Sequence, residues 1–170
     1  LGFGVAVNGL EASEQRATQL FVRYVEPQSP AKLTNAISGG LQRGDEILTI
    51  NSVPVATLIA ANGGFGDYSA LTANNVGDPL RLEILRATNP VVTLTLNAAE
   101  FSLTPVQTVP VVQSQNGRRM GYVFVKDMIS QVNAPLETAF AQFRAQGVSD
   151  LVLDLRYNGG GLVSVGATVA

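Results

Sequence analysis

The sequence predicts an α+β protein made of two unlike units. Three features carry that prediction. Up to about residue 97, short β-branched or alternating segments are separated by Gly, Pro and Asn turns. From residue 119 onward the pattern changes to strand, helix, strand, loop, helix. Between them, residues 98–118 hold Pro105, Pro110 and a polar run, the composition of a connector. The expected architecture is a partly open β-barrel with short helices over 1–97, then an incomplete β-α-β-α unit over 119–170.

The elements follow in chain order. Gly2-Phe3-Gly4-Val5 is glycine-rich and opens a strand. Leu20-Phe21-Val22-Arg23-Tyr24-Val25 is a strand by its β-branched and aromatic content, and Pro27 and Pro30 end it. Ser29 and Pro30 suit the N-cap and first position of a helix. Gly39-Gly40 breaks it. Arg43-Gly44-Asp45 is a turn before the strand Glu46-Ile47-Leu48-Thr49-Ile50-Asn51, and Val53-Pro54-Val55 is read as following a second turn. Residues 62–66 form a glycine loop. Asp67 caps a short helix reaching about Ala73. Leu80-Arg81-Leu82-Glu83-Ile84-Leu85-Arg86 alternates apolar and charged, the period of a half-buried strand. Residues 91–96 give one more strand.

In the back unit, Met120 to Val125 is a strand. Leu136, Ala139, Phe140 and Phe143 share one helical face. Asn133 is placed as that helix's cap, with Pro135 in its first turn and Gly147 at its end. Leu151-Val152-Leu153-Asp154-Leu155 is nearly all apolar, the pattern of a strand covered on both faces. Asn158-Gly159-Gly160-Gly161 leads into a small, apolar helix. Two strands joined through one helix make a parallel pair.

Composition narrows the chemistry. The chain has 170 residues, no cysteine and no histidine, so it offers no disulfide, zinc thiolate or Ser–His–Asp site. Lys32 and Lys126 are its only lysines. A net charge of −2 argues against a nucleic-acid partner; Arg118-Arg119 reads as a solvated turn. No apolar run reaches the roughly 18–20 residues of a membrane span. The start at Leu1, without methionine or signal peptide, reads as that of a processed or excised piece. No metal or other cofactor is expected.

Two segments carry a resemblance. Leu41-Gln42-Arg43-Gly44-Asp45-Glu46-Ile47-Leu48-Thr49-Ile50-Asn51 fits Leu-x-x-Gly-Asp-x-Ile-Leu-x-Ile-Asn, and Gly77-Asp78-Pro79 opens the strand that would close the same fold. This front unit resembles a PDZ domain of the kind carried by bacterial envelope proteases. Leu153-Asp154-Leu155-Arg156-Tyr157-Asn158-Gly159-Gly160-Gly161-Leu162 resembles the Leu-Asp-Leu-Arg-x-Asn-x-Gly-Gly-Leu segment of the C-terminal processing (tail-specific) serine peptidases, relatives of the tricorn core protease.

The resemblance implies roles. Gly2 and Gly4 would let backbone amides converge on a peptide's terminal carboxylate, and the next strand would add the peptide as a β-strand. Phe3, Val5 and Leu71 would line an apolar pocket. The ligand would be the C-terminal tail of a substrate protein. Gly160-Gly161 would supply one oxyanion donor. Asp154 and Arg156 read as an ion pair holding the strand end, and Asp45 as a turn aspartate bonding backbone amides. The family's Ser–Lys pair follows this segment. Neither Ser164 nor Lys126 stands in its context, so the 170 residues are expected to be inactive.

The expected address, by resemblance, is the periplasm or cell envelope. The unfinished sheet is expected to drive self-association. A non-catalytic PDZ adaptor is the alternative reading. A phosphate cradle at Gly159–Gly161 fails, because no Lys-Ser/Thr follows and Ser164 stands where a last glycine is required.

Overall fold

A computed structural model describes residues 1–13, 16–61, 66–87 and 90–170; side chains at 10–13, 16, 17 and 108–110 lie outside the description. The chain divides into two compact units, Leu1–Ser102 and Leu103–Ala170.

The first unit is an open sheet of six strands. β1 (Val5–Ser13), β2 (Arg16–Val25), β3 (Glu46–Ile50), β5 (Pro79–Leu85) and β6 (Val92–Asn97) lie in the order β1-β2-β3-β5-β6, and β4 (Val53–Pro54) pairs with β3. The alternation in β5 does what period two requires. Leu80, Leu82 and Ile84 are buried, and they stand opposite Leu96, Leu94 and Val92 of β6. Leu20 and Val22 of β2 join Ile47 and Ile50 of β3 in the same core. On the polar face the Thr49 hydroxyl donates to Glu83 Oε2 at 3.0 Å.

Two short helices, α1 (Pro30–Leu33) and α2 (Val55–Ala60), and a 3-10 turn at Ser69–Leu71 complete this unit. Ser29 does occupy the N-cap of α1, but its hydroxyl donates back to Glu26 O at 2.7 Å rather than accepting a helix amide. The turn after Asp67 stops at Leu71, short of Ala73; Asp67 Oδ1 accepts the Ser69 amide at 3.0 Å and holds its first residue. Of the glycine loop at 62–66, residues 62–65 lie outside the described residues.

The second unit has a three-stranded sheet, β7-β8-β9, made of β7 (Val106–Gln113), β8 (Arg119–Val125) and β9 (Asp150–Asp154). β8 and β9 run parallel, joined through α3 (Asn133–Ala145); α4 (Val163–Val169) follows. This is the β-α-β-α order expected. β7 corrects the reading of 98–118 as a connector: it pairs antiparallel with β8 across a turn at Ser114–Gly117. Its register is irregular between Val109 and Val112, where Pro110 sits, and β7 is an edge strand, so the missing amide is tolerated.

Leu136, Ala139 and Phe143 bury the predicted face of α3 against Val123 and Val125. Gly121 permits that contact, since a Cβ there would meet the Phe143 ring at 2.9 Å. Asn133 is not the cap. A 3-10 turn at Ser130–Val132 runs directly into α3, so Asn133 is already helical and Val132 precedes it. β9 also departs from expectation. Leu151, Val152, Leu153 and nearby Leu155 are exposed, because β9 is a sheet edge paired only with β8.

Candidate functional sites

In the first unit, the residues before β1 are tied down from both sides. Gly2 exchanges two backbone hydrogen bonds with Ala99, at 3.0 and 3.1 Å. Phe3 O accepts the Ala31 amide at the start of α1, and Gly4 O accepts the Glu26 amide at 2.8 Å. Gly4 has φ +76°, and a Cβ there would lie 1.9 Å from Ser29 Cβ, so only glycine fits. Phe3 is 3% exposed and belongs to the core, with Val5 and Leu71 packed against the same cluster. Phe3 thus lies in the core of this unit, and Val5 and Leu71 are partly buried against the same cluster. The Gly2 amide is already spent on Ala99, which leaves Phe3 and Gly4 as the loop amides with no partner among the described residues. β1 stands at the edge of its sheet, the placement that strand addition needs.

Asp45 does more than cap a turn. Its Oδ2 accepts the Gln42 amide at 2.8 Å, as expected, but both oxygens also accept from Arg86, at 2.6 and 2.7 Å. Arg86 further donates to Ser38 O and Gly40 O, so one guanidinium locks the loop 38–45. Hydrogen bonding to Asp45 raises the Arg86 pKa further above its ordinary value. The role of Arg86 escaped the sequence reading; its place at the end of an alternating strand, after the Gly-Asp turn, was the available signal.

The second unit gathers polar groups at the C-terminal ends of its parallel strands. Asp154 is buried and accepts from the Arg156 amide and guanidinium, with Nη2 at 2.6 Å, and from the Tyr122 hydroxyl. Hydrogen bonds from Arg156, then from Tyr122, hold its carboxyl well below the usual range. It is thus a fixed anion and an unsuitable base near neutral pH, in keeping with its reading as scaffold. Tyr122 was the unforeseen partner.

Beyond it the chain turns through Tyr157, at φ +67°, into Asn158-Gly159-Gly160-Gly161. Asn158 Nδ2 donates to Val125 O at 2.9 Å, and its Oδ1 accepts the Gly160 amide at 2.8 Å. Met128 bonds both sides of the glycines: its amide donates to Gly160 O at 2.8 Å, and its carbonyl accepts the Leu162 amide at 2.7 Å. Gly161 has φ +136°, and a Cβ would come within 2.3 Å of Met128 O. The turn is rigid, exposed and rich in backbone amides, which suits binding of a negatively charged oxygen. Lys126 pairs with Asp127 at 3.0 Å, and Ser164 is exposed on α4.

Among the described residues, no group of three or more His, Cys, Asp or Glu could hold a metal ion. Among those residues, too, no helix is long and apolar enough to cross a membrane.

Comparison with known proteins agrees with this layout. Residues 21–86 match the PDZ domain, and residues 119–170 match Peptidase family S41. The PDZ match begins after Gly2–Val5; the S41 match includes Gly160 and Gly161. A carboxyl-terminal-processing protease of Synechocystis sp. is 30% identical over 147 residues, 86% of this chain and 33% of that protein. A chloroplastic C-terminal processing peptidase of Tetradesmus obliquus is 29% identical over 149 residues, 84% of this chain and 32% of that protein. The chain spans about a third of the length of these relatives. The photosystem II D1 C-terminal processing protease shares the fold, with a TM-score of 0.63 at 24% identity over 99% of this chain and 43% of that one. A Bacteroides fragilis protein described as an S41 protease gives 0.61 at 25% identity, with the same coverage. With a PDZ unit followed by an S41 segment in that order, the resemblance to the C-terminal processing serine peptidases is borne out across both units.

Proposed function

We propose that this chain is part of a C-terminal processing serine endopeptidase. Its first unit would capture the C-terminal tail of a protein substrate, and Gly160-Gly161 would supply part of the oxyanion hole. The observation that carries the reading is the pairing of a free-edged β1 behind a glycine loop with a rigid glycine turn at the ends of parallel strands. Tail capture would use the Phe3 and Gly4 amides for the carboxylate, β1 for the peptide backbone, and Val5 and Leu71 over buried Phe3 for the last side chain.

In acyl transfer, negative charge grows on the scissile carbonyl oxygen, and fixed amides lower the barrier by meeting it. Ser164 and Lys126 do not form a nucleophile–base pair: Lys126 is held by Asp127, and Ser164 lies on α4. The 170 residues alone are therefore expected not to hydrolyse peptides. A periplasmic or cell-envelope address is proposed on the family resemblance. The exposed apolar strand β9 supports self-association of the chain, which a monomeric mass by light scattering at micromolar concentration would overturn.

Calorimetric titration with one peptide as free acid and as C-terminal amide tests the central claim. Preference for the acid by tenfold or more, as an order of magnitude for a lost charge-assisted contact, supports tail capture. Equal binding, or none, removes it. Acid-specific binding with no hydrolysis by the full-length protein favours a PDZ-type adaptor instead.

A further inference from the structure

The glycine loop before β1 is held by residues far from it in sequence. Gly2 is bonded in both directions to Ala99, on the segment that leaves β6. Two residues further along that segment, Phe101 reaches the loop's other glycine. A Cβ on Gly4 would lie 3.2 Å from Phe101 Cζ, so the tip of the ring sits against the Gly4 backbone. Ser29 closes on the same spot, its Cβ 1.9 Å from that position. The Gly4 carbonyl is engaged by the Glu26 amide at 2.8 Å. Ser29 belongs to the buried start of α1, whereas Phe101 stands on the chain that runs out of the first unit at Ser102. Phe101 is half-buried, yet among the described residues it is not one of those packed against the core of this unit. It also lies outside residues 21–86, the stretch that matches the PDZ domain.

From this geometry we propose that Phe101 is a positioning residue for tail capture: its ring fixes the Gly4 backbone so that the Phe3 and Gly4 amides are aimed before a carboxylate arrives. The proposal rests on the tail-capture reading above and adds a residue from outside the loop. Glycine has the widest backbone freedom of any residue, so a loop built on Gly2 and Gly4 loses the most entropy on being ordered. A loop ordered in advance spends less of its contact energy on that ordering when a ligand binds. Ser29 and Phe101 together supply the restraint that a side chain on Gly4 cannot, because none fits there. Of the two, Phe101 is the one whose removal leaves the core of the unit intact.

Two measurements test it, and they fail separately. Calorimetry on the 170-residue chain compares short acetylated peptides that differ in the last residue, each as free acid and as C-terminal amide. Phe101→Ala should lower affinity for the acid about tenfold, the scale of ordering one residue's backbone, and leave affinity for the amide unchanged. A merely destabilised unit would weaken both forms together. Phe101→Leu, which keeps apolar bulk against the loop, should retain most of the acid preference. Leu103→Ala, at an exposed apolar side chain two residues on, should retain all of it. Hydrogen exchange in the 15N-labelled chain without peptide reads the clamp itself. In Phe101→Ala the Gly2 amide should exchange at least about tenfold faster, while the amides of β5, inside the sheet, stay protected. An unaltered acid preference in Phe101→Ala, or unaltered exchange at Gly2, overturns the proposal. A wild-type chain that prefers no acid to its amide overturns the role in capture along with the reading beneath it, while exchange at Gly2 still reports whether Phe101 holds the loop.

Discussion

Replacing Arg86 with methionine is expected to destabilise the first unit severely. Arg86 makes four hydrogen bonds, two to the Asp45 carboxylate and one each to Ser38 O and Gly40 O. Asp45 is only 2% exposed in its side chain and Arg86 18%, so solvent screens the pair weakly. Arg86→Met keeps an apolar stem but leaves the carboxylate buried, with the Gln42 amide still donating to it. Breaking a buried pair from one side costs about 3–5 kcal/mol. That is a large part of the roughly 5–15 kcal/mol that holds a domain together. Arg86→Lys should fall between, because one ammonium cannot span two carboxylate oxygens and two carbonyls. Adding Asp45→Asn to Arg86→Met should restore part of the loss, since the stranded charge is gone. Urea unfolding of wild type, Arg86→Met, Asp45→Asn and the double variant, followed by circular dichroism, closes the cycle, with Arg86→Lys measured beside it. A cost for Arg86→Met below about 1 kcal/mol, the scale of an exposed pair, would refute the reasoning.

Further outcomes follow from the second unit. Gly161→Ala should cost about 3 kcal/mol, from left-handed strain and two weakened hydrogen bonds to Met128, whereas Gly160→Ala, whose Cβ enters open space, should cost about 1 kcal/mol; urea midpoints compare them. Asp154 is depressed in the folded state, so its stabilisation is full above the ordinary carboxylate value near 4 and fades as pH falls below it. Asp154→Asn should therefore lower stability at pH 7 and flatten the acid limb of the unfolding midpoint, and an acid limb as steep as wild type would count against this. Tyr157 sits at φ +67°, which asparagine tolerates and valine does not. Tyr157→Asn should thus be more stable than Tyr157→Val by about 1 kcal/mol, measured by thermal unfolding.

Much of the fold was legible because its periodicities are local. β5 alternates one residue at a time, and α3 repeats its apolar face at helical spacing, so both announce themselves. The parts that escaped depend on neighbours. The helix Val55–Ala60 is short, follows a proline and holds β-branched Val55, Thr57 and Ile59, so its sequence looks extended; its packing against β2 and β3 decides otherwise. β7 carries a proline and looked like a connector, yet an edge strand accepts one at an irregularity. Asn133 is a good cap in isolation, but a preceding 3-10 turn removed the need. Of the candidate site residues, Gly160 and Gly161 could be read from their motif. The strap from Asn158 to Val125 joins residues distant in sequence, and nothing local reveals it. The burial of Phe3 depends on distant residues in the same way: its flanking glycines look like surface, while it belongs to a core with buried residues from β2, β3, β5 and β6.

The hydrogen bonds between Gly2 and Ala99 have a consequence for how the first unit can be used. They bring the segment that leads into β1 and the segment that leaves β6 side by side. A module with adjoining ends can be spliced into a surface loop of another protein as a cassette, because the host must span only a small gap and closing it costs little chain entropy. The same adjacency makes this unit a candidate for circular permutation, with a short linker across the Gly2–Ala99 gap and new ends opened at an exposed turn.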